Sequence, residues 1–197
     1  MDTRITIALI AGSVTALGWI ANHIFSARRE ARRAEVQEKL NFTKEQLEKL
    51  YGPLAFIVLE GRKTWSDLLM ILGRNIVFEG SSELPEDEQK VWKFWVENEF
   101  LPRNRRIRDL LESNTHLIEG ESIPKSYSDF IEHESSWRLS YKRWEQEKSD
   151  YPWTSSTNWP KQFGNDVLNT FHRLKQRQYK LSGFVTKTAQ QVAPEDS

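Results

Sequence analysis

Hydrophobic residues are arranged in two different ways along this chain. Residues 5–25 form an almost continuous apolar run without Asp, Glu, Lys or Arg. Further along, apolar residues instead recur every three or four positions, which is the spacing of amphipathic helices. We find no convincing strand-like alternation of apolar and polar residues. The pattern therefore predicts an all-α protein, with a single N-terminal transmembrane helix followed by a helical bundle of about five helices.

The recurring apolar positions also predict a domain organisation. A membrane anchor at 1–27 precedes a juxtamembrane, coiled-coil-like connector at 28–52, which ends or kinks at Gly52-Pro53 because the residue before proline disfavours helical dihedrals. Thr43 and Gln46 resemble a capping box, so a break near Asn41 is an alternative. The bundle follows at 53–185, with helices at about 53–72, 86–101, 102–114, 127–147 and 165–185, before a mobile tail at 186–197.

The apolar run is long enough to cross a bilayer as a helix. At about 1.5 Å per residue, residues 5–25 match the ~30 Å hydrocarbon core. The alternatives are a cleaved signal peptide and a buried core helix. The run lacks a clear basic leader and a convincing cleavage site, and a core helix is rarely apolar on every side. The sequence therefore favours a retained membrane anchor.

Charged residues next to the run predict its orientation. Four arginines fall within residues 28–33, whereas only Arg4 precedes the run. By the positive-inside rule, the N-terminus lies outside and the C-terminal domain is cytoplasmic. The sequon at Asn41 would then remain unmodified. The expected headgroup contacts are Trp19, Arg28, Arg29, Arg32 and Arg33.

Small residues lie on one face of the predicted membrane helix. Ala8, Gly12 and Ala16 are spaced four residues apart, which allows two helix backbones to approach closely. Self-association through this face is one interpretation. The other is that alanine and glycine are simply common in membrane helices.

Composition and motifs argue against an enzyme. The chain contains 28 Lys and Arg and 28 Asp and Glu, so a general attraction to nucleic acid is disfavoured. It contains no cysteine, no helical pair of metal-spaced histidines, and none of the common phosphate-binding or nucleophile motifs. We therefore expect no cofactor and no metal, nominate no catalytic residue, and favour a non-enzymatic function.

Two carboxylates occupy apolar helix faces. Glu99 follows Trp95 and Val96, and Glu134 shares a helix side with Phe130 and Trp137. A buried carboxylate must be paired, hydrogen-bonded or protonated, and the arginine segment 103–108 could supply a partner. A structural ion pair is the favoured interpretation and a catalytic acid pair is the alternative. The neighbouring His133 is expected to be solvated.

An arginine cluster suggests contact with phosphates. The cluster lies at the start of the predicted helix 102–114, and its positive charges could bind the phosphates of nucleic acid or lipid. Asp109 and Glu112 follow at helical spacing and can form ion pairs with it. We therefore favour the alternative, a solvated helix face. The candidate phosphate contacts are Arg103, Arg105, Arg106 and Arg108.

Aromatic residues suggest a partner-binding surface. An aromatic stripe runs along the predicted helix 127–147, and two further tryptophans lie in the loop that follows. Bare tryptophans are unfavourable in water, so they either meet a partner or fold back on the bundle. The candidate partner-binding residues are Trp137, Tyr141, Trp144, Trp153 and Trp159.

These observations predict a membrane-anchored helical interaction protein. One alternative is a membrane effector whose oligomerised spans perturb the bilayer, with the bundle as sensor. A second alternative is a nucleic-acid-binding or nuclease module that uses the arginine cluster. The expected partners are membrane lipid, an unidentified protein and a second copy of the chain, and nucleic acid is disfavoured.

Overall fold

The computed structural model describes residues 3–78, 84–147 and 157–190. Within these ranges, the side chains are described between residue 17 and residue 186. Within these ranges the chain is helical and contains no strand, which confirms the predicted all-α class. The helices are α1 (Thr3–Gln46), α2 (Gly52–Leu72), α3 (Glu86–Trp95), α4 (Leu101–Ser113), α5 (Lys125–Glu147) and α6 (Lys161–Gln190), with a 3₁₀ turn at Thr115–Leu117.

The chain divides into two compact units. The first comprises Met1–Thr43 with Arg177–Ser197, and the second comprises Lys44–Gln176. In the first unit, α1 passes through Asn41, so the alternative of a break there does not occur. The Thr43 hydroxyl donates to the carbonyl of Lys39 at 2.8 Å instead of capping a new helix. Residues 186–190, assigned to a mobile tail from the sequence, belong to α6, and 191–197 lie outside the described residues.

The apolar run is described only in part. Residues 3–16 are helical, but their side chains lie outside the described set. Beyond them, large apolar side chains of α1 are exposed, including Leu17, Ile20 and Phe25. Over the part of the chain that the structure describes, no helix is both long enough and apolar enough to cross a membrane.

Two π-helical segments each lead into a helix of the second unit. Leu47–Tyr51 leads into α2, and Val96–Phe100 leads into α4. In each case a proline, Pro53 or Pro102, lies two residues beyond the segment. The backbone N–H of Gly52 donates to the carbonyl of Leu47, and that of Leu101 donates to Val96.

Proline explains this widening of the helix. It has no N–H, so the carbonyl four residues earlier loses its usual donor. The preceding amide then bonds five residues back, which is the π-helical pattern. The chain therefore remains helical through Gly52-Pro53 and Pro102, and no helix ends at either proline.

Two hydrophobic cores hold the second unit together. The first combines the Leu47–Tyr51 segment with α2, α4, α5 and α6, and the second combines the end of α2 with α3 and the Val96–Phe100 segment. The first core contains Leu47, Leu50, Tyr51, Leu54, Ala55, Ile57, Val58, Ile107, Leu111, Leu117, Tyr127, Phe130, Phe163, Val167 and Leu174. The second contains Leu68, Val77, Leu84, Trp92, Val96 and Phe100.

Candidate interaction surface

The aromatic stripe of α5 is divided between the interior and the surface. Phe130 is fully buried in the first core. Trp137 packs against the second core, with its ring 6.3 Å from that of Trp92. Tyr141 and Trp144 lie further along α5 and belong to neither core. The structure therefore separates Trp137 from the other two stripe residues predicted to bind a partner.

Tyr141 and Trp144 form a half-exposed aromatic edge together with Lys93 and Glu97. The Tyr141 hydroxyl donates to Glu97 at 3.4 Å, and the Lys93 ammonium lies 4.2 Å from the centre of the Trp144 ring. Burial raises the pKa of Tyr141, and the nearby Glu97 carboxylate raises that pKa further. The tyrosine therefore remains a neutral donor, and a cation–π contact holds the tryptophan. The edge presents flat rings beside one positive and one negative group.

Trp159 folds back onto the first core. Its ring lies 5.6 Å from Phe130 and 6.0 Å from Phe163 in edge-on geometry. It also meets the ring of His133 at 5.6 Å. The other predicted loop residue, Trp153, lies outside the described residues.

His133 lies between tryptophans that pack on the two cores. It is buried, and its Nδ1 donates to the carbonyl of Thr157 at 2.8 Å. Its ring lies between Trp159 of the first core and Trp137 of the second. Burial lowers the pKa of His133, so the neutral form is favoured. The expectation of a solvated histidine is wrong, because tertiary packing covers this face of α5.

Glu134 is a buried carboxylate with two arginine partners. Only 3% of its side chain is exposed, while the side chains of Arg138 and Arg108 are partly exposed. Arg138 Nε donates to Oε1 at 3.0 Å, and Arg108 Nη1 lies 3.9 Å from Oε2. The pairing satisfies the charge, as a structural role requires.

Glu99 is half-buried and pairs with Arg103. The distance from Arg103 Nη1 to Glu99 Oε1 is 2.8 Å, and the same nitrogen donates to the Thr64 hydroxyl at 2.9 Å. Burial lowers the pKa of the Arg103 guanidinium, and Glu99 opposes this by favouring the charged form. Gly61 leaves space for the guanidinium, because a Cβ there would lie 3.1 Å from it. Arg103 thus links α4 to α2.

The other arginines of the cluster differ in exposure and pairing. Arg106 lies 3.8 Å from Glu60, and Arg108 lies 3.8 Å from Glu112 in addition to Glu134. Arg105 is exposed and forms no ion pair within the described ranges. The cluster therefore does not present four free cations to one phosphate backbone.

A polar network that the sequence analysis missed lies beside the first core. The Tyr51 hydroxyl accepts the backbone N–H of Glu119 at 2.9 Å, and Arg173 Nε donates to the Glu119 carboxylate at 3.1 Å. Tyr51 also hydrogen-bonds Tyr127, and burial raises the pKa of both phenols. These residues are far apart in the chain, so no spacing in the sequence reveals the network.

The described residues contain no site with obvious catalytic chemistry. No group of three potential metal ligands occurs among them. A pocket of about 240 Å³ lies between α4 and α5, is mainly apolar, and has Arg108 and Glu112 on its wall. Neither a nucleophile with its base nor a set of converging donors lines it.

The predicted membrane-proximal residues lie on α1 of the first unit. Trp19 is exposed, and its ring stacks on His23 at 5.6 Å. The four arginines Arg28, Arg29, Arg32 and Arg33 are all exposed. Ala8, Gly12 and Ala16 lie on described helical backbone, but their side chains are outside the described set.

Comparison with protein-family models, curated proteins and solved structures finds no match to this chain.

Proposed function

We propose that this protein is a membrane-anchored helical interaction protein without enzymatic activity. Residues 1–27 act as a single-pass anchor, and the helical domain on the cytoplasmic side binds a protein partner. Anchoring confines the domain to a surface and so raises its effective concentration for partners there.

The anchor is supported by the sequence alone. Residues 5–25 carry no Asp, Glu, Lys or Arg, and the arginines of 28–33 follow directly. This charge asymmetry orients the N-terminus outward. The exposed Trp19 and the four exposed arginines are available to lipid headgroups.

Partner binding is supported by one observation above the others, the aromatic edge. Tyr141 and Trp144 belong to neither core, yet a cation–π contact and a hydrogen bond hold their rings in place. Ordered, half-exposed aromatic rings lose little conformational entropy on binding and are typical of interface hot spots. Trp137 and Trp159 are less available because they pack on the cores.

Membrane fractionation tests the anchor. The full chain should remain in the membrane fraction after a carbonate wash, and a chain without residues 3–27 should appear in the soluble fraction. Asn41 should escape glycosylation by lumenal enzymes. A truncated chain that still resists carbonate, or a glycosylated Asn41, would show that the proposed anchor or its orientation is wrong.

Site-specific photocrosslinking tests the aromatic edge. A photoreactive residue at Trp144 should cross-link a discrete partner in membranes, and Tyr141→Ala should abolish this product. Leu139 is exposed on another side of α5 and provides the matched control position. Equal labelling from positions 144 and 139 would count against the edge as the binding surface.

The two alternative functions depend on other residues. An effector that perturbs the bilayer would lose its toxicity on Gly12→Ile. A nucleic-acid-binding or nuclease module would show salt-dependent binding that falls on charge reversal within Arg103–Arg108. The ion pairs of Arg103, Arg106 and Arg108 make the second alternative the weaker of the two.

A further inference from the structure

Helix α2 is apolar on its outer face as well as on its core face. Its inner face places Leu54, Ile57 and Leu68 in the cores. On the outer side, Leu59 is 55% exposed and Met70 is 70% exposed. Both are large side chains, so covering them with another protein surface would be favourable.

An ion pair interrupts this outer face at its middle. Lys63 and Asp67 bind one another one helical turn apart, between Leu59 and Met70. At 3.6 residues per turn, these four residues fall within an arc of about 80°. The face therefore reads apolar, positive, negative, apolar along the helix.

This order is self-complementary when two helices pack antiparallel. A two-fold axis near residues 64–65 places Lys63 opposite Asp67 of a second copy, and Leu59 opposite Met70 of that copy. Both contacts occur twice, as an isologous interface requires. A parallel arrangement would instead place like charges opposite each other.

We propose that the outer face of α2, formed by Leu59, Lys63, Asp67 and Met70, binds a second copy of this chain in antiparallel orientation. This interface is independent of the proposed anchor and of the small residues Ala8, Gly12 and Ala16. It also differs from the aromatic edge, which would remain available to another partner.

Charge exchange tests the pairing in the purified full chain. Lys63→Asp and Asp67→Lys should each reduce the dimer, because each places like charges across the axis. Mixing the two variants should restore association, as should the double exchange within one chain. Light scattering in detergent, corrected for the bound detergent, would detect a protein mass of twice the 23.2 kDa chain. Equal association of all these forms would overturn the proposal.

Cysteine cross-linking tests the orientation, since the chain has no cysteine of its own. A mixture of Leu59→Cys and Met70→Cys chains should form an interchain disulfide under mild oxidation. Each variant alone should not, because its two thiols would lie roughly 16 Å apart along the axis and a disulfide needs Cα atoms within about 7 Å. Cross-linking within either single variant but not in the mixture would overturn the antiparallel arrangement.

A matched control distinguishes specific binding by this face from non-specific hydrophobic association. Leu59→Glu should abolish the dimer, whereas Leu139→Glu, at a similarly exposed leucine of α5, should leave it intact. Gly12→Ile should also leave the disulfide between positions 59 and 70 unchanged. A dimer that persists in Leu59→Glu and disappears in Gly12→Ile would assign association to the N-terminal helix instead.

Discussion

The segments Leu47–Tyr51 and Val96–Phe100 share one backbone arrangement but differ in their contacts. Both are π-helical, and a proline follows two residues after each. The first buries Leu47, Leu50 and Tyr51 in one core, while its charged residues Glu48 and Lys49 are exposed. The second buries only Val96 and Phe100.

The second segment also forms polar contacts with other helices. Glu97 and Glu99 are half-buried, and they bind Tyr141 of α5 and Arg103 of α4. The same π-helical arrangement therefore contributes only to a core in the first segment, whereas in the second it also supports the aromatic edge. The difference comes from the neighbouring helices, which supply partners only to the second segment's carboxylates.

Removing the aromatic ring at the end of each segment should have the largest effect on stability. Tyr51→Ala and Phe100→Ala should each destabilise the domain by about 3–5 kcal/mol, because each leaves a cavity in a core. Urea denaturation would measure both. In the photocrosslinking assay, Phe100→Ala should reduce the product formed from position 144, whereas Tyr51→Ala should leave that product closer to the wild-type level. Equal losses of the cross-linked product in the two variants would remove the functional distinction between the segments.

Substituting the residue that follows each segment should have the next largest effect on stability. A Cβ at Gly52 would lie 2.5 Å from the carbonyl oxygen of Leu47, whereas the equivalent position in the second segment already carries Leu101. Gly52→Ala should therefore cost about 1–3 kcal/mol through backbone strain. Leu101→Gly provides the reciprocal change at the second segment. A neutral Gly52→Ala in thermal unfolding would show that the first segment tolerates a side chain as the second does.

Acid should destabilise the domain through His133, which lies between Trp137 and Trp159. Burial lowers its pKa below the ordinary 6.5, so the unfolded chain binds the proton more tightly than the folded chain. The stabilisation is complete above about pH 6.5 and is lost as the pH falls to the folded-state pKa. For one proton the slope is at most about 1.4 kcal/mol per pH unit.

Denaturation of wild type and His133→Gln between pH 5 and pH 8 would measure this contribution. The difference between the two proteins should vary with pH below about 6.5 and become constant above it. A difference independent of pH would mean that His133 titrates normally in the folded chain.

Removing the Tyr51 hydroxyl should have the smallest effect on stability. Tyr51→Phe loses the acceptor for the Glu119 N–H and should cost about 0.5–1.5 kcal/mol. Phe100→Tyr adds one hydroxyl at the matching position of the second segment, where the Arg103 guanidinium lies 5.1 Å from the centre of the Phe100 ring. Urea denaturation would measure both variants. A Tyr51→Phe chain as stable as the wild type would show that the hydrogen bond from Glu119 contributes nothing to stability.

The sequence by itself determined the helical class and the approximate ranges of α2, α3, α4, α5 and α6. Apolar spacing is a local property that one face of a helix must satisfy, so it can be read without tertiary contacts. The need to pair Glu134 also followed from its position on an apolar face. The two prolines were visible, but their consequence was not, since a helix can either break or widen at proline.

Only the tertiary structure decided which side chains became buried. His133 has charged neighbours in the chain, yet α5 packs it between Trp137 and Trp159. The same packing divides one aromatic stripe into a core part and the edge at Tyr141 and Trp144. Burial depends on residues more than forty positions away, such as Glu97 for Tyr141, and periodicity along one helix carries no information about them.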